Sequence, residues 1–460
     1  MPRLSRPLAW ALVAPLIAAA VVAARLDVLA SAGLSHEGHV AGAIVFVAAV
    51  LWMTELVPLF VTSFVVLALG LVWLLPLMDP ARMTAGDLTA PFFSNIVLLY
   101  LGGLVLGMGL HARRHDEALA RWIIRRVGDS PGRVLMGLMA ATALLSMWLS
   151  NTATAAMMLG LVTPIVTPLA PSDPTRKALA LGVAFAANVG GVGTPIGTPP
   201  NIIALKNLPE GVEISFLDWM LGGLPVAAVM IVVVWLTLRT FFRPAAKSVT
   251  VPISDREIDP GRWRDWLVIA TLIVTIFGWL SGGEGGLHSL SSGTVALLPI
   301  LVFFGSGLLP ALSFRKVPWE VLVLFGGGLC LGEIMKRTGL AAFIVDQVPV
   351  ESLSPTMLVA ILAIMACGLS TLMSNTATAA LVMPLVAGIA MAEPASGVAT
   401  VAMACSMAMA LPISTPPNAL AFSLEDVKTA DMLAPGLVIS IIGVLLLTTA
   451  GQWWLGIVLG

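Results

Sequence analysis

Two long stretches of this chain, residues 134–172 and 352–392, contain no Asp, Glu, Lys or Arg. A lipid-spanning helix needs about 20 predominantly apolar residues. Comparable apolar runs recur from end to end, at roughly 7–26, 40–54, 56–77, 94–110, 178–205, 216–242, 264–281, 291–310, 318–335, 395–424 and 432–458. The composition agrees: 58% of the residues are hydrophobic and 11% charged, where soluble chains run about 45–50% and about 25%. This excludes a soluble enzyme, a nucleic-acid binder, a disordered hub and a secreted disulfide scaffold. The net charge of −1 offers no bulk field for a polyanion. Cys330, Cys367 and Cys405 lie inside apolar runs and read as buried small hydrophobes.

The placement of Lys and Arg sets the orientation. With a cytoplasmic N-terminus and a retained first helix, 19 of the 24 fall on the cytoplasmic side. Arg25, Arg82, Lys206, Lys336 and Arg337 fall on the other. The asymmetry survives only if 134–172 and 352–392 each enter and leave the membrane on one side. Tryptophans near span ends (Trp10, Trp73, Trp219, Trp263, Trp266, Trp319, Trp453, Trp454) read as an interfacial belt.

The chain also repeats itself. LSMWLSNTATAA at 145–156 matches LSTLMSNTATAA at 369–380, with LYLGGLVLG at 99–107 matching LFGGGLCLG at 324–332 upstream. Downstream, GTPPN at 197–201 matches STPPN at 414–418. Each copy sits in a half with an odd number of crossings, so the halves face opposite ways, as in the inverted repeats of secondary transporters. From 134 to 149 is only about 24 Å of helix, short of the ~30 Å hydrocarbon core. Each charge-free stretch therefore reads as a re-entrant hairpin with Ser-Asn-Thr at its tip. Pro199-Pro200 and Pro416-Pro417 remove two amide donors each, so their windows read as broken helices with unwound middles.

Half-helix N-termini offer N–H groups to an anion, while unwound carbonyls and hydroxyls suit a small hard cation. An Asn amide can serve both. The four charge-free windows hold no acid, base or histidine. A proton-coupled carrier usually needs a titratable group in its path, so sodium is favoured as the coupling ion. A membrane enzyme finds no catalytic constellation here.

These paired Ser-Asn-Thr and Thr-Pro-Pro-Asn motifs, with the Trp52-Met53-Thr54-Glu55-Leu56-Val57-Pro58 segment, resemble the divalent anion/sodium symporter family, from about residue 40 onward. The resemblance implies an all-α polytopic membrane protein of two inverted-topology repeats. It would have eleven transmembrane helices, two re-entrant helical hairpins and two broken helices. It implies a homodimer in the bilayer, in a bacterial inner membrane, working by an elevator-type motion with Na+ as the coupled ion and a small dianion as substrate. Residues 1–133 and 251–351 would form the scaffold, 134–250 and 352–460 the two halves of the transport domain. One sodium site would use Ser146, Ser150, Asn151 and Gly197; the other would use Ser370, Met373, Asn375 and Ser414. The substrate would meet Asn151, Thr152, Asn375 and Thr376, with Thr198 and Thr415 nearby. After the second break the chain reads Ala421-Phe422-Ser423-Leu424-Glu425 in place of the family's Gly-rich run. Some members exchange anions without net sodium coupling, so a dicarboxylate exchanger or proton-coupled anion antiporter of the same architecture is the alternative.

Other polar features read as structural. His36-Glu37-Gly38-His39 is expected to be an incidental external loop. The arginines from Arg113 to Arg126 are expected on an amphipathic cytoplasmic helix. Glu333 is expected to pair locally with Lys336 and Arg337, three and four residues on. Glu55 is expected to make a structural hydrogen bond. Gly102, Gly103, Gly107 and Gly326–Gly328 are expected to permit close helix packing.

Overall fold

Backbone polar groups in an apolar segment must satisfy one another, and a helix does so within one segment. The computed structural model describes residues 6–26, 33–209, 211–249, 263–282, 286–347, 353–389, 391, 393–423 and 427–459. Among these, the chain is helical with no β-strand; one bridge pairs Gly282 with His288. Arg3, Arg256 and Arg262, which contribute to the orientation, and Leu424-Glu425 lie outside the described residues.

The first half opens with α1 (Arg6–Arg25), α2 (His36–Thr54), α3 (Leu59–Leu69, prolonged to Leu77), α4 (Ala85–Thr89), α5 (Asn95–Ala112) and α6 (His115–Val127). It continues with α7 (Pro131–Ser146), α8 (Asn151–Val166), α9 (Thr175–Gly191), α10 (Pro199–Lys206) and α11 (Phe216–Phe241). Next come α12 (Trp263–Ser281), α13 (Ser292–Val295), α14 (Leu297–Gly305), α15 (Trp319–Arg337) and α16 (Leu340–Asp346). The chain ends with α17 (Pro355–Leu372), α18 (Asn375–Gly388), α19 (Pro394–Cys405), α20 (Pro416–Phe422), α21 (Thr429–Leu446) and α22 (Gln452–Leu459).

Seven of these units are long and apolar enough to cross a membrane: His36–Thr54, Leu59–Leu77, Ala85–Ala112, Phe216–Phe241, Trp263–Ser281, Pro355–Leu372 and Thr429–Leu459. The two charge-free stretches differ here. Pro355–Leu372 reaches 18 residues, whereas its counterpart Pro131–Ser146 stops at 16.

Helix starts follow the capping chemistry of the sequence. Ser35 accepts from Gly38 N at 3.1 Å, so His36-Glu37-Gly38-His39 forms the first turn of α2 rather than an external loop. Ser215 and Asp218 form a reciprocal box at the start of α11. The arginine-rich segment is the helix α6. Its entry corner is tied to α12 by Arg113, which holds the buried Asp265 through two bonds of 2.6 and 3.0 Å. Glu333 pairs with Arg337, as the spacing predicts, and Arg337 also bonds Asp87 at 3.0 Å. Glu55 is exposed; its backbone, left-handed at φ 48°, closes α2. The glycines of α15 do permit close packing, since a Cβ on Gly327 would meet Ser63 of α3 at 2.2 Å.

The prolines sit differently from the sequence reading. α9 ends at Gly191 and α19 at Cys405; the chain is then unwound up to Thr198 in the first break and up to Leu411 in the second, where a short 3-10 turn over Pro412–Ser414 leads to Thr415. Each Pro-Pro pair occupies the first two positions of the next helix. An N–H at those positions has no intrahelical partner anyway, so proline is tolerated there. The short helices then pack crosswise. α10 lies on α18 and α19, while α20 lies on α8 and α9. Each break thus reaches the Ser-Asn-Thr helix of the other half.

Candidate functional site

Both Ser-Asn-Thr tips are helix starts. Ser150 and Ser374 are extended at φ −61° and −67° and accept from Ala153 N and Ala377 N, both at 3.2 Å. That fixes Asn151 and Asn375 as the first helical residues, next to the preceding serines of α7 and α17. Ser146 Oγ lies 2.5 Å from Asn151 Oδ1 and donates to the Ala187 carbonyl at 2.8 Å. Ser370 Oγ lies 2.6 Å from Asn375 Oδ1 and 2.7 Å from the Cys405 carbonyl. Both serines are fully buried. The two copies therefore build the same local unit, a serine and an asparagine joined to the carbonyl at the end of a broken helix.

The first unit is closed by a third oxygen. The Asn151 amide faces Ser146 Oγ at 2.5 Å, Gly197 O at 3.0 Å and Ala187 O at 3.2 Å. Ser146 has one O–H, and the two carbonyls can only accept. With the amide nitrogen turned inward, its two hydrogens are shared among the three oxygens. With the amide oxygen turned inward, four oxygens converge, a hard neutral ligand set for a small cation. Asn151 can therefore serve a cation with one face and an anion with the other.

The remaining candidates fall around these units. Thr152 is exposed and Thr376 half-buried, each one position into its helix. Thr198 and Thr415 are extended at φ −145° and −146° and start α10 and α20. Met373 is buried and extended at φ −137°, closing α17. Ser414 is buried and donates to Leu411 O at 2.6 Å. The structure brings Ser146, Asn151 and Gly197 together, and Ser370 with Asn375. Ser414 instead belongs to a hydrogen-bonded group with Asn418.

Sequence reasoning missed the residues that hold the breaks open. Asn201 donates to Gly191 O at 3.0 Å and Thr194 O at 2.8 Å. Its repeat counterpart Asn418 donates to Leu411 O at 3.1 Å and Ser414 Oγ at 3.2 Å. These amides replace the helical partners that the unwound carbonyls lost. Trp219, read as interfacial, is fully buried, and its indole N–H donates to Val192 O at 3.1 Å. Ser440 of α21 serves the second break, donating to Met407 O at 2.7 Å. Asn188 of α9 reaches into the other half, bonding Thr415 Oγ1 at 3.1 Å and Asn418 Oδ1 at 3.0 Å. The Asn of each Thr-Pro-Pro-Asn motif was visible as a repeated letter; Asn188 and Trp219 carried no repeat signal.

None of these groups titrates near neutral pH. Among the described residues, no three His, Cys, Asp or Glu side chains come together as a metal-binding group. The side chains gathered here are neutral hydroxyls and amides.

A family model described as citrate transporter matches residues 49–410. A sodium-dependent dicarboxylate transporter of Staphylococcus saprophyticus is 29% identical, over 93% of this chain and 88% of its own. A protein of the same name from Staphylococcus aureus is 30% identical, over 89% and 84%. In fold, the chain is similar to the YdaH transporter of Alcanivorax borkumensis, at a TM-score of 0.56 and 13% identity over 81% of this chain and 87% of that one. With matched Ser-Asn units at both tips and a family model spanning most of its length, the chain belongs to the divalent anion/sodium symporter family of membrane transporters.

Proposed function

We propose that this protein is a secondary active transporter that couples sodium to the movement of a small dicarboxylate such as succinate or malate. The observation that carries the reading is the matched pair of units Ser146–Asn151 and Ser370–Asn375, each joined to a broken-helix carbonyl and free of ionisable groups. Neutral oxygens select a hard cation without titrating, and the bound cation supplies the positive charge that a dianion needs. The names of the two staphylococcal relatives support the same ion and substrate class.

In this reading sodium is held by Ser146, Ser150, Asn151 and Gly197 on one side and by Ser370, Met373, Asn375 and Ser414 on the other. The carboxylates meet Asn151, Thr152, Asn375 and Thr376, with Thr198 and Thr415 alongside. The crosswise packing of α10 on α18 and α20 on α8 supports two inverted repeats. α7 and α8, of 16 residues each, reach about 24 Å, which supports a re-entrant hairpin; α17–α18 is its counterpart. Eleven crossings with a cytoplasmic N-terminus, a homodimer, and a transport domain of 134–250 and 352–460 sliding on its scaffold complete the proposal. Uptake of labelled succinate into liposomes, competed by malate, fumarate, citrate and sulfate, tests the substrate class. Four-carbon dicarboxylates should compete best; competition by sulfate alone would contradict it.

A further inference from the structure

Asn188 is 1% exposed and sits immediately after Ala187, whose carbonyl accepts from Ser146. It belongs to the first half, yet among the described residues its side chain bonds to the second break. The orientation of its amide follows from a chain of donors and acceptors. The Leu411 carbonyl can only accept, so Asn418 turns its nitrogen to it, at 3.1 Å. Asn418 Oδ1 then faces Asn188, which must present its own nitrogen, at 3.0 Å. The second hydrogen of that nitrogen goes to Thr415 Oγ1 at 3.1 Å. The same oxygen accepts from the backbone N–H of Asn418 at 3.3 Å. A hydroxyl accepts at most two hydrogens and donates one. Both acceptor positions of Thr415 are filled, so its O–H is left to donate.

Among the described residues the arrangement occurs once. By the matching serine-to-carbonyl bonds, the counterpart of Asn188 is Ser406, which follows Cys405 and whose buried hydroxyl has no partner. Thr198, the counterpart of Thr415, makes no cap bond with its side chain. The Oδ1 of Asn188 is itself a buried acceptor without a partner. A residue kept only for packing would not carry that unsatisfied group.

We infer that Asn188 is a positioning residue that fixes Thr415 as a hydrogen-bond donor to the transported anion and makes the two half-sites inequivalent. A donor-only hydroxyl suits a carboxylate and is of no use to a cation, so the effect falls on the anion. This rests on the transport reading above.

The test is equilibrium binding of succinate to the purified full-length protein at saturating sodium. N188A and T415V should each weaken binding about tenfold, and the double variant should be no weaker than T415V, because Asn188 acts through the hydroxyl. N188D, close in volume, presents an acceptor in place of a donor and should lose affinity as N188A does. T415S keeps the hydroxyl and should bind as wild type does. Sodium binding followed by tryptophan fluorescence without succinate should be unchanged in N188A and T415V. Additive losses in the double variant, wild-type affinity in N188D, or wild-type affinity in T415V would each overturn the assignment. Should N188A or N188D fail to fold, the T415S and T415V pair still decides. A wild-type protein that binds no dianion at any sodium concentration would overturn the transport reading itself, a different result from additive variants.

Discussion

Gly191 and Gly197 face each other across the first break so closely that a Cβ on Gly197 would lie 2.4 Å from the Gly191 carbonyl oxygen. A Cβ on Gly191 would lie 2.8 Å from Asn151 Oδ1 and 2.9 Å from Gly197 O. The unwound stretch is thus folded back on the end of α9, which is how the Gly197 carbonyl reaches Asn151. Gly191→Ala should displace that carbonyl and the amide together, at about 1–3 kcal/mol for overpacking. Uptake rate and thermal stability of the purified variant check this. Wild-type uptake in Gly191→Ala would show that the close approach does not matter.

Asn151→Ala and Asn375→Ala should raise the apparent sodium requirement and the substrate KM together. In the proposed reading each asparagine serves both ligands, and its loss leaves buried partners unpaired at about 1–3 kcal/mol. Linkage requires the two effects to be coupled. The measurement is substrate affinity at several sodium concentrations; an asparagine variant with wild-type sodium dependence would make the tips purely structural.

Thr152→Ala and Thr376→Ala should separate the two ligands. Neither threonine belongs to the Ser-Asn-carbonyl units, and Thr152 is exposed at the tip. Substrate affinity should fall about fivefold or more on loss of one hydrogen bond, while sodium affinity measured without substrate stays put. Equal losses of both would place these hydroxyls on the cation.

The elements and tips of this fold were legible because they are local. Helix limits follow apolar runs and capping residues, and Ser150 and Ser374 start their helices as the repeated motif implied. The break contacts were not legible, because they cross long sequence distances. Trp219 and Val192 are 27 residues apart, and Asn188 and Asn418 are 230. A tryptophan near a span end looks the same whether its indole meets lipid headgroups or an orphan carbonyl. Ala187 and Cys405 contribute through the backbone, which side-chain chemistry does not announce. The Pro-Pro pairs were read as the break itself, whereas their φ and missing donors suit the first turn after it. His36 to His39 looked like a loop until Ser35 capped them into α2.

Asp173, in the turn before α9, is buried and accepts from Thr175 N at 2.9 Å and Ala246 N at 3.1 Å. Burial alone would raise its pKa, but these hydrogen bonds and a third from Ala245 N hold it below the usual carboxylate range. A depressed folded pKa stabilises fully above the unfolded value and is lost as pH falls through the folded one. Asp173→Asn should therefore lower the unfolding temperature at pH 7, at about 1–2 kcal/mol. The difference from wild type should shrink below the usual carboxylate range, and a difference constant down to the most acid pH would contradict the assignment.

In the proposed function, neutral oxygens order sodium so that sodium, and not a proton, drives the anion. The most direct measurement is succinate accumulation in liposomes at fixed pH under an inward sodium gradient, repeated with sodium replaced by potassium or choline. Concentrative uptake is expected with sodium and none without it. Unchanged accumulation in potassium or choline, driven by a pH gradient, would contradict it.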